Sequence, residues 1–192
     1  MLVTEMMAFR LLAFPQMAGS LIFAPQQDTL YPVPTRTENT MQEWVMRPIG
    51  FVRSSYAATD QVPKGLGAQH TMEGTLEVLP EFEEGLKDLE GFSHIMIIWV
   101  FHHSEGYELV GKNPTDGLPH GVFATRSPRR PNPIAITVVE LLGRQGCSLR
   151  LKGIDMLDGT PVLDIKPYMS SIPQEKLRRG WLDEAEKKQS KG

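Results

Sequence analysis

A single cysteine, Cys147, stands among the 192 residues. One thiol excludes an intrachain disulfide and a thiolate metal cluster, and such a chain is expected in the reducing cytoplasm. No run of about 18 apolar residues occurs, so no membrane-spanning helix and no membrane partner are expected. A basic excess is also missing. The 20 lysines and arginines are outweighed by 23 acids, leaving a formal charge of -3, so only a local patch of cations would bind nucleic acid. No Gly-x-Gly-x-x-Gly follows a strand, no Gly-Lys-Ser/Thr phosphate loop is present and no His-Glu-x-x-His; Gly65-Leu66-Gly67 is a weak trace of a glycine loop. Ser104 and Ser127 lack a nucleophile elbow, and Cys147 has no charged activator in its segment except Arg144. A covalent nucleophile is therefore not supported.

The remaining composition is that of a folded protein. Hydrophobic residues make up 41%, charged residues 22%, and there are 17 glycines, enough to bury a core without disulfide or metal. Residues 1–44 hold six charged residues and four prolines and are expected to be an extension or linker. Glu5, Arg10, Pro15 and Gly19 interrupt Met1 to Phe23, which argues against a secretory signal. From Trp44 the pattern changes to strands: Val45 to Arg53, His70 to Leu79, Phe92 to Phe101, Gly121 to Thr125, Ile134 to Leu142, Ser148 to Ile154 and Pro161 to Ile165. Short strands between Gly-, Pro- and Asp-rich turns predict a mainly β protein, a barrel or sandwich with few helices. Helices are expected only at Phe82 to Leu89 and in the charged segment Gln174 to Gln189. The expected division is thus 1–44, a β domain at 45–170, and a charged helix at 171–192.

Two segments carry candidate chemistry. Arg126-Ser127-Pro128-Arg129-Arg130-Pro131-Asn132-Pro133 concentrates three arginines and three prolines, with no acid between Asp116 and Glu140. Proline restricts the loop, and rigid guanidinium groups suit phosphate or carboxylate ligands; the alternative is a solvated turn whose arginines meet acids remote in sequence. The second segment runs from Asp155 past Asp158-Gly159 to Asp164, Lys166 and Tyr168, the last three at alternate positions on one strand face. That face is either a polar site or a surface carrying an Asp164–Lys166 ion pair. His94 and His102 share parity, but extended chain separates them by roughly 26 Å, so one metal ion cannot join them and no metal site is expected. His102 and His103, at a strand end, are better placed to touch a ligand or cap the strand.

Three stretches carry a resemblance: Phe123-Ala124-Thr125-Arg126-Ser127-Pro128 with Arg130-Pro131-Asn132-Pro133-Ile134; Asp158-Gly159-Thr160-Pro161-Val162-Leu163-Asp164-Ile165-Lys166-Pro167-Tyr168; and Leu89-Glu90-Gly91-Phe92-Ser93-His94 followed by Phe101-His102. In order and spacing, from about Arg47 to Tyr168, they resemble the TrmO family, S-adenosylmethionine-dependent methyltransferases acting on N6 of N6-threonylcarbamoyladenosine beside the tRNA anticodon. The resemblance implies a small antiparallel β-barrel, not a Rossmann fold, working as a homodimer with the cofactor near the subunit interface. It implies cofactor contacts at Lys64, Gly65, Leu66, Gly67, His102, His103, Arg126, Ile136, Asp155, Met156, Leu157 and Asp158. Arg126, Arg129, Arg130, Lys166 and Tyr168 become candidates for the anticodon loop or a substrate carboxylate. For catalysis, Asp158 and Asp164 are the candidate proton acceptors, and Tyr168 an orienting donor or stacking platform. A small-molecule methyltransferase, or a cofactor-binding module without turnover, on the same barrel is the alternative.

Overall fold

The computed structural model describes residues 9–10, 44–64, 68–169 and 179–189, in a chain that divides into two compact units, 1–47 and 48–192. In the first unit a two-residue strand, β1 (Phe9–Arg10), pairs antiparallel with β2 (Val45–Met46). The strand expected from Val45 to Arg53 is thus split. Pro48, which has no N–H to give to a ladder, lies in the break, and β3 (Gly50–Arg53) begins beyond it.

The second unit is a closed barrel of six antiparallel strands. Besides β3 these are β4 (Glu73–Val78), β5 (His94–Val100), β8 (Ile134–Gln145), β9 (Ser148–Lys152) and β10 (Pro161–Pro167), in the order β10-β3-β4-β9-β8-β5. Alternation decides which side chains go inside. Ile95, Ile97 and Trp99 of β5, Leu149 and Leu151 of β9, Leu76 and Val78 of β4, Val139 of β8 and Val162 of β10 fill the interior, joined by Ile154 and Met156 from the turn after β9. Each fully buried aliphatic side chain there contributes about 1.5–3 kcal/mol.

The hairpin of β6 (Val110–Lys112) and β7 (Pro119–Gly121) was not legible in the sequence. The strand expected at Gly121 to Thr125 is instead a 3-10 turn over Val122–Ala124, closed by the Thr125 N–H and hydroxyl on the Val122 carbonyl. The helix expected at Phe82 to Leu89 is also 3-10, in two pieces, Pro80–Leu86 and Leu89–Gly91. Gly85 weakens a helix interior, and Asp88 at φ 66° turns the chain between the pieces. Helix α1 covers Trp181–Gln189; residues 171–178 of the expected helix lie outside the described residues. No helix among the described residues is long and apolar enough to cross a membrane.

Candidate functional site

Antiparallel register gathers loops at one end of the barrel. There β5 finishes, β8 and β10 start, and the chain leaves β9, since Trp99 faces both Ala135 and Val162 across its neighbours. His102, His103, the arginine loop, Asp155 and Asp158 all belong to this end.

The arginine loop is held by its own backbone and by the turn after β5. The Ser104 hydroxyl donates to the Pro128 carbonyl at 3.0 Å, and the Phe101 N–H to the Pro133 carbonyl at 2.8 Å. The three guanidinium groups have different fates. Arg130 donates to the carbonyls of Thr125 and Ser127 at 3.1 and 3.4 Å, and so ties the loop to itself. Arg129 meets an acid remote in sequence, Glu108, at 3.1 Å. Arg126 is exposed and has no hydrogen bond or ion pair among the described residues. It is the arginine of the three whose donors remain open to a ligand.

The loop is also anchored from α1. The Trp181 indole N–H donates to the Ala124 carbonyl at 3.0 Å, two residues before Arg126, and its ring stacks on His120 with centroids 4.0 Å apart. His120 in turn contacts the Asp116 carboxylate at 3.0 Å, and that hydrogen bond holds Asp116 below the usual carboxylate range.

At the end of β5, His102 lies against His103 with centroids 3.9 Å apart and the ring planes tilted by 42°. Burial, then the charge of His103, push His102 below the ordinary histidine range. The folded imidazole therefore binds a proton less readily than the unfolded one. As pH falls through about 6.5 the unfolded chain gains its proton first, and stability is lost until the folded ring also titrates. His102→Gln is expected to show a smaller fall in Tm between pH 7.5 and 5.5 than the wild type, in paired thermal melts; equal falls would mean that His102 is not the source.

The turn after β9 is only partly available. Met156 is 0% exposed in the core and its carbonyl accepts the Ser54 hydroxyl at 2.8 Å, so its side chain does not reach a ligand. Asp158 is exposed, with one oxygen accepting the Ser54 N–H at 3.2 Å. Asp155 accepts the Thr137 hydroxyl at 2.7 Å, and Thr137 accepts the Trp99 indole N–H at 3.0 Å. Neither Thr137 nor Trp99 was found from sequence. Thr137 is the polar residue at an inward position of β8, between Ala135 and Val139, and that parity was the available signal.

Other expected residues are not brought to this end within one chain. Ile136 points outward and is 58% exposed, whereas its neighbour Thr137 faces in toward Asp155. The Tyr168 N–H donates to the His94 carbonyl, at the opposite end of β5 from His102, and β5 itself spans roughly 20 Å. Lys166 and Asp164 form the ion pair of the alternative reading, at 2.8 Å, with Asp164 also accepting the Ile165 N–H. Lys64 is exposed, and Gly65, Leu66 and Gly67 lie outside the described residues. Burial and Glu83 push the Cys147 thiol up, away from a reactive thiolate. A surface depression of about 550 Å³ against Glu83, Glu84, Lys87 and Arg144 lies toward the other end of β8, where Arg144 is already paired with Glu90 at 3.0 Å.

Residues 51–174 match the family model of the tRNA-methyltransferase O N-terminal domain. The chain is 49% identical over 138 residues to a probable S-adenosyl-L-methionine-binding protein of Pyrococcus abyssi, covering 71% of this chain and 75% of that one. It is 38% identical over 143 residues to the tRNA (adenine(37)-N6)-methyltransferase of Escherichia coli, covering 67% of this chain and 59% of that one. Among solved structures, the crystal structure of TrmO from Pseudomonas aeruginosa superposes with a TM-score of 0.62 at 38% identity, over 76% of this chain and 64% of that one. The match thus spans about three fifths of the bacterial relatives.

Proposed function

The chain belongs to the tRNA-methyltransferase O family, through that family's N-terminal domain, and from this premise we propose that it is an S-adenosylmethionine-dependent methyltransferase acting on N6 of N6-threonylcarbamoyladenosine beside the tRNA anticodon. The observation that carries the reading is the joining, at one end of the barrel, of Arg126, unpaired among the described residues, His102 depressed below its ordinary pKa, and the carboxylates of Asp155 and Asp158. The donor set fits the cofactor. Carboxylates suit its hydroxyl, amino and sulfonium groups, a neutral imidazole adds no repulsion to a cation, and a free guanidinium suits a carboxylate. Asp155, Leu157, His102 and His103 would hold it.

When bound, the cofactor supplies an electrophilic methyl group, so the chain's own work is to align the acceptor and to take one proton. Arg126 binds the carboxylate of the threonylcarbamoyl group or an adjacent phosphate. Asp158 accepts the N6 proton, because Asp164 is engaged by Lys166 and the Ile165 N–H while Asp158 has an oxygen unpartnered among the described residues. The adenine leaves its stack, an easier step in a loop than in a duplex.

The active form is a homodimer in the cytoplasm. Met96 and Ile98 of β5 lie beside Val138 and Ile136 of β8 on the outward face of the barrel, the latter two 41% and 58% exposed, flanked by Asp164 and Lys166 of β10. Two-fold packing through this stripe would carry Tyr168 and Lys166 of one copy toward the His102 end of the other, which is how the far residues would join the site. Val138→Glu is expected to convert a dimer to a monomer in sedimentation velocity; a wild type that sediments as a monomer sinks this arrangement.

One observation favours the second reading, a small-molecule acceptor on the same barrel: two of the three loop arginines are occupied by protein groups. The deciding experiment is calorimetric titration with S-adenosylmethionine, followed on the same sample by mass spectrometry of nucleosides from tRNA carrying threonylcarbamoyladenosine. Saturable binding with a product heavier by one methylene unit supports the tRNA reading. Binding without product moves the proposal to another acceptor, and no binding overturns both.

A further inference from the structure

Thr137 has one hydroxyl proton and two neighbours within hydrogen-bond distance. The indole of Trp99 is a donor only, and an ionised carboxylate an acceptor only. The direction of the chain is therefore fixed: Trp99 Nε1–H donates to Thr137 Oγ1 at 3.0 Å, and the Thr137 hydroxyl donates to Asp155 Oδ1 at 2.7 Å. Three elements meet in this relay. Trp99 is on β5, Thr137 on β8 two residues along from Trp99's own ladder partner Ala135, and Asp155 follows β9. Gly153, at φ 95°, passes beside Val138 and Val139, and the chain continuing antiparallel to β8 brings Asp155 level with Thr137.

Trp99 is itself immobilised. It is 5% exposed, and Phe101 packs against it edge to face with centroids 4.4 Å apart. Asp155 is not enclosed to the same degree, and its second oxygen, Oδ2, has no hydrogen-bond partner among the described residues. A half-buried carboxylate is thus clamped through one oxygen by a rigid core relay, while the other remains available.

We infer that Trp99 and Thr137 are positioning residues that hold the Asp155 carboxylate with Oδ2 presented to a hydrogen-bond donor group of the cofactor. The inference rests on the cofactor reading above and adds to it the part of the core that sets the geometry of the contact. A carboxylate on a turn would otherwise sample several rotamers, and fixing one beforehand lowers the ordering cost of binding. The relay also accounts for a polar chain inside an apolar barrel, where an unpaired indole N–H or hydroxyl would be costly.

The test uses the full chain with three substitutions. Thr137→Val keeps the shape and removes the hydroxyl, Thr137→Ser keeps the hydroxyl, and Trp99→Phe removes the indole donor. Each is titrated with S-adenosylmethionine by calorimetry and melted without ligand, and indole N–H exchange at Trp99 is followed by nitrogen-15 NMR. Thr137→Val is expected to weaken binding about tenfold and Trp99→Phe about threefold, with Thr137→Ser within about twofold of wild type. Exchange at the Trp99 indole should speed up in Thr137→Val and not in Thr137→Ser.

Wild-type affinity in Thr137→Val, or equal weakening in Thr137→Ser, overturns the inference. If Thr137→Val does not fold, Trp99→Phe and Thr137→Ser decide: weakening in the first alone supports the relay, and wild-type affinity in Trp99→Phe overturns it. A wild type that binds no S-adenosylmethionine removes the cofactor reading itself, a result distinct from native binding with indifferent variants.

Discussion

Arg126→Ala is expected to lower kcat/KM for tRNA methylation by about a hundredfold, the loss of one charge-assisted contact made to the substrate, or roughly 2–3 kcal/mol. The neighbouring arginines serve as internal comparisons. Arg129 is joined to Glu108 in a pair whose side chains are both largely exposed, and such a pair contributes little, so Arg129→Ala should cost only a few-fold. Arg130 donates to the loop carbonyls of Thr125 and Ser127, so its replacement should act through loop order and lower Tm as well as turnover. Arg126→Lys keeps the charge but loses the planar fork, and should fall between wild type and alanine. The measurement is steady-state methylation of modified tRNA over a range of salt, beside calorimetric affinity for S-adenosylmethionine. Turnover in Arg126→Ala within twofold of wild type would remove Arg126 from the site, while an equal fall in cofactor affinity would make it a cofactor residue.

A second large effect is expected far from the chemistry. Gly50 and Gly74 stand where neighbouring strands of the barrel approach so closely that no side chain fits. A Cβ on Gly50 would collide with the Glu77 carbonyl and stand 2.9 Å from Val78 Cα; one on Gly74 would collide with the Arg53 carbonyl and stand 2.8 Å from Ile154 Cδ1. At Gly50 both obstacles are backbone, so no rotamer change relieves the clash, and the β3–β4 ladder must part instead. Gly50→Ala is expected to destabilise the protein by about 3 kcal/mol or more, a fall in Tm on the order of 10 °C. Gly91→Ala, where a Cβ meets nothing within 4 Å, is the control and should leave Tm nearly unchanged. A Gly50→Ala protein that melts with the wild type would mean that the strands have room to separate at little cost.

The barrel was legible because its strands announce their inner faces. Ile95, Ile97 and Trp99 alternate with His94, Met96 and Ile98, and Leu149 and Leu151 with Ser148, Arg150 and Lys152, and that period of two places one set inside whatever the neighbouring strand is. The hairpin of β6 and β7 was missed because Val110-Gly111-Lys112 and Pro119-His120-Gly121 are short and lack such a pattern. Gly121 to Thr125 was misread for a related reason: Val122, Phe123 and Ala124 look like a strand, but Phe123 is 77% exposed on a tight turn, with no sheet partner to cover it.

Sequence by itself determined the fold class and the family resemblance, and singled out two segments as candidates for chemistry, because these depend on local order: side-chain period, turn residues and the sequence of short motifs. It could not assign tasks within those segments. Arg126, Arg129 and Arg130 are equivalent in sequence, and only folding brings Glu108 to Arg129 and bends Arg130 onto its own loop, leaving Arg126 without a partner among the described residues. Asp158 and Tyr168 lie ten residues apart in the chain, yet β10 runs between them and holds them at opposite ends of the barrel. Trp99, Thr137 and Asp155 are distributed over 57 positions of the chain and meet only because β5, β8 and β9 are adjacent in the closed sheet. Hydrogen bonds and ion pairs act over a few ångströms, and strand pairing decides which distant residues come within that range.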